Sequence, residues 1–231
     1  MNTLNSSRVA QLLNQLHLDA LVADGPFLQN MVASLEESGE TIEQAAAQLI
    51  ADERADYPKV YSGHAAHFLS VSRNYGRFLY AIARACKAPR IVEFGTSMGI
   101  STIYLAAALR DNGGGRLIGS EIEPSKVTTA RENIEAAGLA DLVDVREGDA
   151  LETLEDIGGE IDLAFIDGAW SLYLPVLKLI EPRLRSGAVI LAENAFATEY
   201  LEYVRNPANG YFAQTMTIDE GRGNEFAVRI S

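Results

Sequence analysis

The sequence predicts an α/β fold with a doubly wound, mostly parallel sheet of seven strands. From Pro89 onward, short apolar runs alternate with helical patterns, which is typical of a parallel sheet that is covered on both faces. Two further β-like runs close the chain, and their polar, glycine-rich connection predicts an antiparallel hairpin at one edge of the sheet. A helical pattern precedes Pro89, so N-terminal helices are expected in addition to the sheet.

The N-terminal part is predicted to be helical from residue 7 to residue 56. Apolar residues recur at helical spacing on both sides of the Asp-Gly-Pro sequence at residues 24–26, which is expected to break the first helix. The next segments are a predicted loop over residues 57–66 and a predicted helix over residues 66–87.

Five parallel strands are expected after Pro89, and all of them end in or beside a carboxylate. The strands are predicted at residues 90–94, 116–121, 142–146, 161–166 and 188–192, with hairpin strands at 213–218 and 226–230. Helices are predicted at residues 99–110, 124–137 and 171–184. Ligands of such sheets bind outside the carboxyl ends of the strands. That edge holds Glu93 with Gly95, Glu121, Asp149, Asp167, and Glu193 with Asn194.

Composition restricts the class of partner. The chain has 231 residues, 48% of them hydrophobic, which suits one domain with a modest extension. Its net charge of −13 argues against nucleic acid or an anionic membrane as the main partner, because both require a basic surface. The single cysteine, Cys86, allows no internal disulfide, and no long apolar run is present. These features predict a cytoplasmic protein with a small-molecule ligand.

The glycine-rich segment at residues 91–102 is the most informative motif. A strand, a glycine-rich turn and a helix in succession place backbone N–H groups beside a ligand. Gly95 and Gly99 have a G-x-x-x-G spacing, and Ser97 stands where the dinucleotide motif requires its middle glycine. Glu93 would repel a pyrophosphate. The segment therefore disfavours a nicotinamide-dependent oxidoreductase and favours a ligand with an amino group and a sulfonium.

Two later strand ends are suited to a nucleoside. Glu121 lies 26 residues after Gly95 (121 − 95), where an acidic group accepts hydrogen bonds from both ribose hydroxyls. Asp149, or the backbone of Ala150, is placed to bind an adenine edge. The alternative for Glu121 is an ordinary surface position at the end of a strand.

Asp167, Glu193 and Asn194 form a second group. Two carboxylates and an amide oxygen suit a hard divalent cation such as Mg²⁺, Mn²⁺ or Ca²⁺. Such a metal would lower the pKa of a substrate hydroxyl. The alternative is that Asp167 caps the next helix. His64 or His67, which lie in the predicted loop before the first strand, could act as a general base or be a surface histidine.

In order and spacing, these motifs resemble class I S-adenosylmethionine-dependent methyltransferases, and are closest to the metal-dependent catechol and caffeoyl-coenzyme A O-methyltransferases. The resemblance covers about residues 66–231 and is carried by segments 92–102, 120–124, 147–150, 165–168 and 191–194. It implies a Rossmann-like fold, with a helical extension at residues 1–60 and a methyltransferase domain at 61–231. It also implies methyl transfer to a hydroxyl of a small-molecule acceptor, S-adenosylmethionine with Mg²⁺ or Ca²⁺ as cofactors, and a homodimer.

The resemblance also implies roles for individual residues. Cofactor contacts are expected from Val71, Glu93, Gly95, Ser97, Ser101, Glu121, Ile122, Asp149, Ala150 and Asp167. The expected metal ligands are Asp167, Glu193 and Asn194, and the expected catalytic residues are Asp167 and His64.

Two departures from the family pattern leave alternatives open. Trp170 stands where the family has a lysine that is thought to act as the base, and Glu193 stands where it usually has aspartate. Either the metal alone activates the acceptor, or His64 or His67 serves as base, or the chemistry has changed. A metal-independent N- or O-methyltransferase and a cofactor-binding protein without catalysis are the alternative functions.

Overall fold

The computed structural model describes residues 2–219 and 223–230, and the strands in these ranges form one seven-stranded sheet. The strands are β1 (Arg90–Phe94), β2 (Arg116–Glu121), β3 (Val143–Glu147), β4 (Ile161–Ile166), β5 (Leu184–Ala192), β6 (Tyr211–Met216) and β7 (Asn224–Arg229). Their order is β3-β2-β1-β4-β5-β7-β6; the first five are parallel, and β7 is antiparallel to both β5 and β6. The predicted fold class is confirmed.

Helices cover both faces of the sheet. They are α1 (Ser7–Ser38), α2 (Ile42–Ser62), α3 (Arg73–Ala85), α4 (Ile100–Asp111), α5 (Pro124–Ala137), α6 (Ala150–Thr153), α7 (Tyr173–Ile180) and α8 (Thr198–Arg205). Because successive strand residues point to opposite faces, Ile91 packs with α1, α3, α4 and α5, whereas Val92 packs with α7 and α8. The strand order reverses between β1 and β4, so the carboxyl ends of these strands are where a ligand is expected.

The N-terminal helices differ from the prediction at both proline positions. α1 continues through Pro26, because the missing N–H removes only one helical hydrogen bond and the buried Asp24 carboxylate ties this turn to the chain at Phe68 and Leu69. α2 continues to Ser62 after a kink at Asp56, where the prediction placed a loop from residue 57.

The kink itself explains the second difference. Asp56 has φ −165° and ψ 73°, and its Oδ1 accepts a hydrogen bond from the Lys59 N–H at 3.1 Å. Asp56 therefore caps a second helical segment, and Pro58 lies in the first turn of that segment, where the missing N–H has no helical partner to lose.

Further boundaries were wrong, including those of the hairpin strands β6 and β7, which begin two residues earlier than predicted. α3 begins at Arg73 rather than residue 66, because the Ser72 side chain caps it by accepting from the Tyr75 N–H at 3.0 Å. The helix predicted at 171–184 is shortened to α7, and β5 begins at Leu184, four residues earlier than predicted. α8 was not predicted. The hairpin connection falls partly on residues 220–222, which lie outside the described residues.

The first N-terminal helix shares the core of the sheet. Val9, Leu13 and Leu16 of α1 are buried in the same apolar cluster as α3 and α4. The division of the chain at residue 60 stays a prediction. Among the helices of the described ranges, none combines the length and the apolar character that crossing a membrane requires.

Candidate active site

The turn after β1 requires glycine at residue 95. Gly95 has φ +91°, and a Cβ atom at this position would lie 2.2 Å from the backbone oxygen of Asp167. Its N–H donates to the Ser120 oxygen at 3.1 Å, which fixes the turn to β2. Gly99, with φ +89°, then precedes α4. The turn therefore brings the ends of β1, β2 and β4 together with bare backbone between them.

Glu93 lies behind this turn rather than on a cavity wall. The side chain is fully buried, and its carboxylate accepts hydrogen bonds from Thr96 (3.1 Å), Ser101 (2.7 Å) and Thr102 (2.5 Å). Burial raises the pKa of Glu93 to about 7, although the three hydroxyl groups oppose this shift. These contacts give Glu93 the role of holding the turn against α4.

Glu121 follows a different pattern, because it lies at the end of β2 and on the cavity wall. One carboxylate oxygen accepts from the Ser97 N–H at 2.7 Å, and the other accepts from the Glu123 N–H at 2.9 Å. An ionised carboxylate has about four acceptor positions, so two remain for a ligand. Ser97 is held in turn by the hydrogen bond from its Oγ to the Phe68 oxygen, 2.5 Å long.

A cavity opens in front of the turn, at the ends of β1, β2 and β4. Its walls include six of the predicted cofactor residues: Gly95, Ser97, Glu121, Ile122, Ala150 and Asp167. A smaller adjoining cavity shares Gly95, Ser97 and Asp167 and adds Val71 and Ser101. The structure thus gathers these eight residues around two adjoining cavities.

The last part of α2 covers the larger cavity. Tyr57 lines it and donates a short hydrogen bond to the Asp149 carboxylate, which raises the pKa of Tyr57 to about 12. Tyr61 lines it and donates to Glu53 at 2.8 Å, while the other Glu53 oxygen accepts from the Ser171 N–H at 2.7 Å. The predicted adenine contact, Asp149, therefore has its carboxylate engaged by Tyr57.

The predicted metal ligands lie at the neighbouring ends of β4 and β5. Ile166 pairs with Ala192, so Asp167 and Glu193 follow side by side at the same edge of the sheet. Glu193 is only 1% exposed. Asn194 has φ +48°, and its N–H donates to Asn224 Oδ1 at 3.2 Å.

The donor chemistry of this edge fits a hard cation through two carboxylates and an amide. No three His, Cys, Asp or Glu side chains within residues 2–219 and 223–230 form a group that could hold a metal ion. The predicted ligand set is not a group of this kind, because its third member, Asn194, is an asparagine. A metal here would therefore depend on an amide oxygen beside Asp167 and Glu193.

His64 lies beside the rings of Phe27 and His67. Its ring lies 5.2 Å from that of Phe27 and 5.7 Å from that of His67. Burial, with the nearby charges of His67 and Lys126, lowers the pKa of His64. His64 thus lies within electrostatic range of Lys126, and its role as a general base stays a prediction.

Trp170 packs edge-on against Phe196, with ring centres 5.1 Å apart.

Three residues that line the larger cavity were not predicted from the sequence: Tyr57, Tyr61 and Lys126. The two tyrosines fell in a predicted loop. The sequence feature that could have identified Lys126 as a cavity residue was its position, five residues after Glu121.

The chain is similar to known methyltransferases. Residues 92–195 match the family described as "Methyltransferase domain". A catechol O-methyltransferase of Niastella koreensis is 39% identical over 130 residues, which cover 54% of this chain and 58% of that protein. A catechol O-methyltransferase of Mycobacterium tuberculosis is 37% identical over 150 residues, covering 64% of this chain and 63% of that protein. The match therefore spans less than two thirds of either relative.

Among solved structures, the O-methyltransferase from Bacillus cereus in complex with SAH (S-adenosylhomocysteine) has a TM-score of 0.65 and 25% identity. The alignment covers 79% of this chain and 90% of that one. The architecture and the sequence match therefore agree.

Proposed function

We propose that this chain, whose residues 92–195 match a methyltransferase domain, is an S-adenosylmethionine-dependent O-methyltransferase of the catechol and caffeoyl-CoA type that acts on a small molecule. The observation that carries the proposal is the cavity between the Gly95 turn and Glu121. It combines backbone that admits a ligand closely with a carboxylate that keeps acceptor positions for two ribose hydroxyls.

The residues of the cavity divide the work of binding and positioning. Glu121 would hold the ribose, Ile122 and Ala150 would contact the adenine, and Tyr57 and Tyr61 would cover the nucleoside and exclude water. Asp167 lines both adjoining cavities, so it would lie where the cofactor and the acceptor meet. S-adenosylmethionine, when bound, supplies an electrophilic sulfonium methyl group. The contribution of the chain is mainly the alignment of the two reactants.

Calorimetric titration with S-adenosylhomocysteine tests the cofactor half of the proposal. We expect binding by the wild-type protein, and at least about 10-fold weaker binding by Glu121→Ala, because the ribose loses charge-assisted hydrogen bonds. Glu132→Ala, an exposed position on α5, is the matched control. Absence of binding by the wild-type protein would overturn the proposed function, and an unchanged affinity of Glu121→Ala would overturn the ribose assignment.

The finer part of the proposal is a divalent metal, Mg²⁺ or Ca²⁺, held by Asp167, Glu193 and Asn194. A metal at this edge would lower the pKa of the acceptor hydroxyl. Two carboxylates at adjacent strand ends support it. We expect activity on a panel of catechols and related phenols to be lost with EDTA and restored with Mg²⁺.

Glu193→Ala extends the test of the metal. This variant should no longer respond to Mg²⁺, while its affinity for S-adenosylhomocysteine stays within about 3-fold of wild type.

The second candidate function is a metal-independent methyltransferase, which is favoured by Trp170 in place of the family's lysine. Activity that is indifferent to both EDTA and Mg²⁺ would establish that alternative, and cofactor binding without turnover on any acceptor would indicate a protein without catalysis.

The homodimer is also a proposal. α1 exposes Leu21 (69%), Val22 (77%), Leu28 (40%) and Val32 (51%), which recur at helical spacing. An apolar stripe of this kind on a helix supports self-association. Sedimentation equilibrium should give twice the monomer mass for the wild type, and a monomer for Val22→Glu.

A further inference from the structure

Lys126 is a buried cation on the wall of the larger cavity. It lies in the first turn of α5, is 3% exposed, and lines the cavity beside Glu121 and Ile122. Within the described part of the chain, Lys126 donates no hydrogen bond and has no carboxylate oxygen within 4.0 Å. Its Nζ is not one of the buried polar atoms that lack a partner, so the ammonium group reaches open space at the cavity wall, where a ligand can supply an acceptor.

The other side-chain donors on the cavity wall are already engaged. The hydroxyl groups of the described wall residues are paired as follows: Tyr57 with Asp149, Tyr61 with Glu53, Ser97 with the Phe68 oxygen, and Ser120 with Thr153. Of the side-chain donors that line this cavity in the described ranges, Lys126 is thus the one whose hydrogen bonds remain available. A ligand with acceptor atoms on this side would meet Lys126.

Lys126 and Glu121 lie on the wall of the same cavity and interact electrostatically. Burial lowers the pKa of Lys126, and Glu121 is the carboxylate that opposes this shift most strongly, ahead of Asp24 and Glu123. The two charges therefore interact, although their atoms are more than 4.0 Å apart. A hydroxyl oxygen with hydrogen bonds of about 2.8 Å to each side would span a gap of up to about 5.6 Å.

We propose that Lys126 is a cofactor-binding residue whose Nζ donates a hydrogen bond to a ribose hydroxyl oxygen of the adenosyl group, while that hydroxyl donates to the Glu121 carboxylate. The inference rests on the proposed function, because the ribose belongs to the methyl donor. It assigns to Lys126 and Glu121 together the recognition of an intact ribose diol. A deoxyribose ligand would leave the ammonium group without this partner.

The experiment compares two ligands and two lysine variants by calorimetry. The ligands are S-adenosylhomocysteine and its 2′,3′-dideoxy analogue, and the variants are Lys126→Met and Lys59→Met, the latter at an exposed position of α2. We expect Lys126→Met to bind S-adenosylhomocysteine about 10- to 100-fold more weakly than wild type, because the hydrogen bond from the charged ammonium group is lost. We expect it to bind the dideoxy analogue within about 3-fold of wild type, and Lys59→Met to behave as wild type with both ligands.

The outcomes separate this inference from the proposed function. If the wild-type protein binds no S-adenosylhomocysteine, the proposed function fails. If the wild type binds it and Lys126→Met binds equally tightly, or weakens equally for both ligands, the role of Lys126 is overturned while the proposed function stands. Lys126→Gln, which keeps a neutral donor at this position, is the second variant if Lys126→Met does not fold, and its loss for the diol should be smaller than about 10-fold but still greater than its loss for the dideoxy analogue.

Discussion

The β1–β2 end of the site and the β4–β5 end satisfy their buried polar groups differently. At the first end, Glu93 accepts three hydroxyl hydrogen bonds and Glu121 accepts two from backbone N–H groups. Near the second end, the hydroxyls of Tyr75 and Tyr200 and the Asn224 amide nitrogen are buried without a hydrogen-bond partner among the described residues. Glu93 and Glu121 at the first end are thus preorganised by local contacts, whereas the second end, like the His64 and His67 rings near Lys126, holds polar groups without a hydrogen-bond partner among the described residues.

Backbone strain follows the same division. Ser97 and Asn194 both adopt positive φ values, 46° and 48°, which are uncommon for residues with a side chain. At Ser97 the strain is offset by two hydrogen bonds, from its N–H to Glu121 and from its Oγ to Phe68. At Asn194 both hydrogen bonds are made by the backbone, from its N–H to Asn224 Oδ1 and from the Phe196 N–H to its oxygen at 2.7 Å. The two turns thus differ in that the Ser97 side chain takes part in fixing the first.

Among the substitutions that test this difference between the two ends, Gly95→Ala is expected to have the largest effect. In Gly95→Ala the new methyl group would meet the Asp167 oxygen, so the turn and β4 must separate. We expect affinity for S-adenosylhomocysteine to fall at least about 1,000-fold, or about 4 kcal/mol. Gly113→Ala is the control, because Gly113 also has positive φ (+101°) but has open space around it. Tight binding by Gly95→Ala would show that the turn is not preorganised.

The next effect is a pH dependence that originates in Glu93. Its folded pKa of about 7 lies above the usual 4.5, so the folded state retains the proton between these values and its ionisation is unfavourable. The free energy of unfolding should therefore decrease by about 3 kcal/mol as the pH rises from 4.5 to 7, and stay level above 7.

Denaturant titrations of wild type and Glu93→Gln across this range isolate that contribution. The difference in unfolding free energy between the two proteins should grow by about 3 kcal/mol in favour of the variant. Parallel curves would contradict the assignment. Because Glu93 does not line the cavity, affinity for S-adenosylhomocysteine should change by less than about 3-fold.

Much of the sheet was predictable because its strands are short apolar runs that end at polar or glycine residues. β1, β2 and β4 have the predicted bounds. The helices were harder, because their limits depend on tertiary contacts. α1 passes Pro26 with Asp24 anchored to a distant segment, and the kink at Asp56 turns a predicted loop into helix. Helix propensity alone predicts neither of these contacts.

The site was predictable to the extent that it follows strand ends. Glu121 and Asp167 reach the cavity because parallel strands place their carboxyl ends at one edge. Glu93 precedes the same turn, yet its side chain points behind it, since the hydroxyls of α4 supply its partners. The locations of the Lys126 and His64 side chains depend on how α5 and α1 pack. The spacing of residues along the chain does not determine this packing.

The smallest effect distinguishes two fully buried tyrosines at the β4–β5 end. Tyr173 donates to the backbone oxygen of Glu193 at 2.6 Å, whereas the Tyr75 hydroxyl has no partner among the described residues. Tyr173→Phe should therefore lower the free energy of unfolding by about 1–2 kcal/mol, and Tyr75→Phe should change it by less than about 0.5 kcal/mol. Thermal unfolding by calorimetry, without added ligand, measures both. An equal loss in the two variants would mean that Tyr75 is also satisfied, and the contrast between the two ends would then disappear.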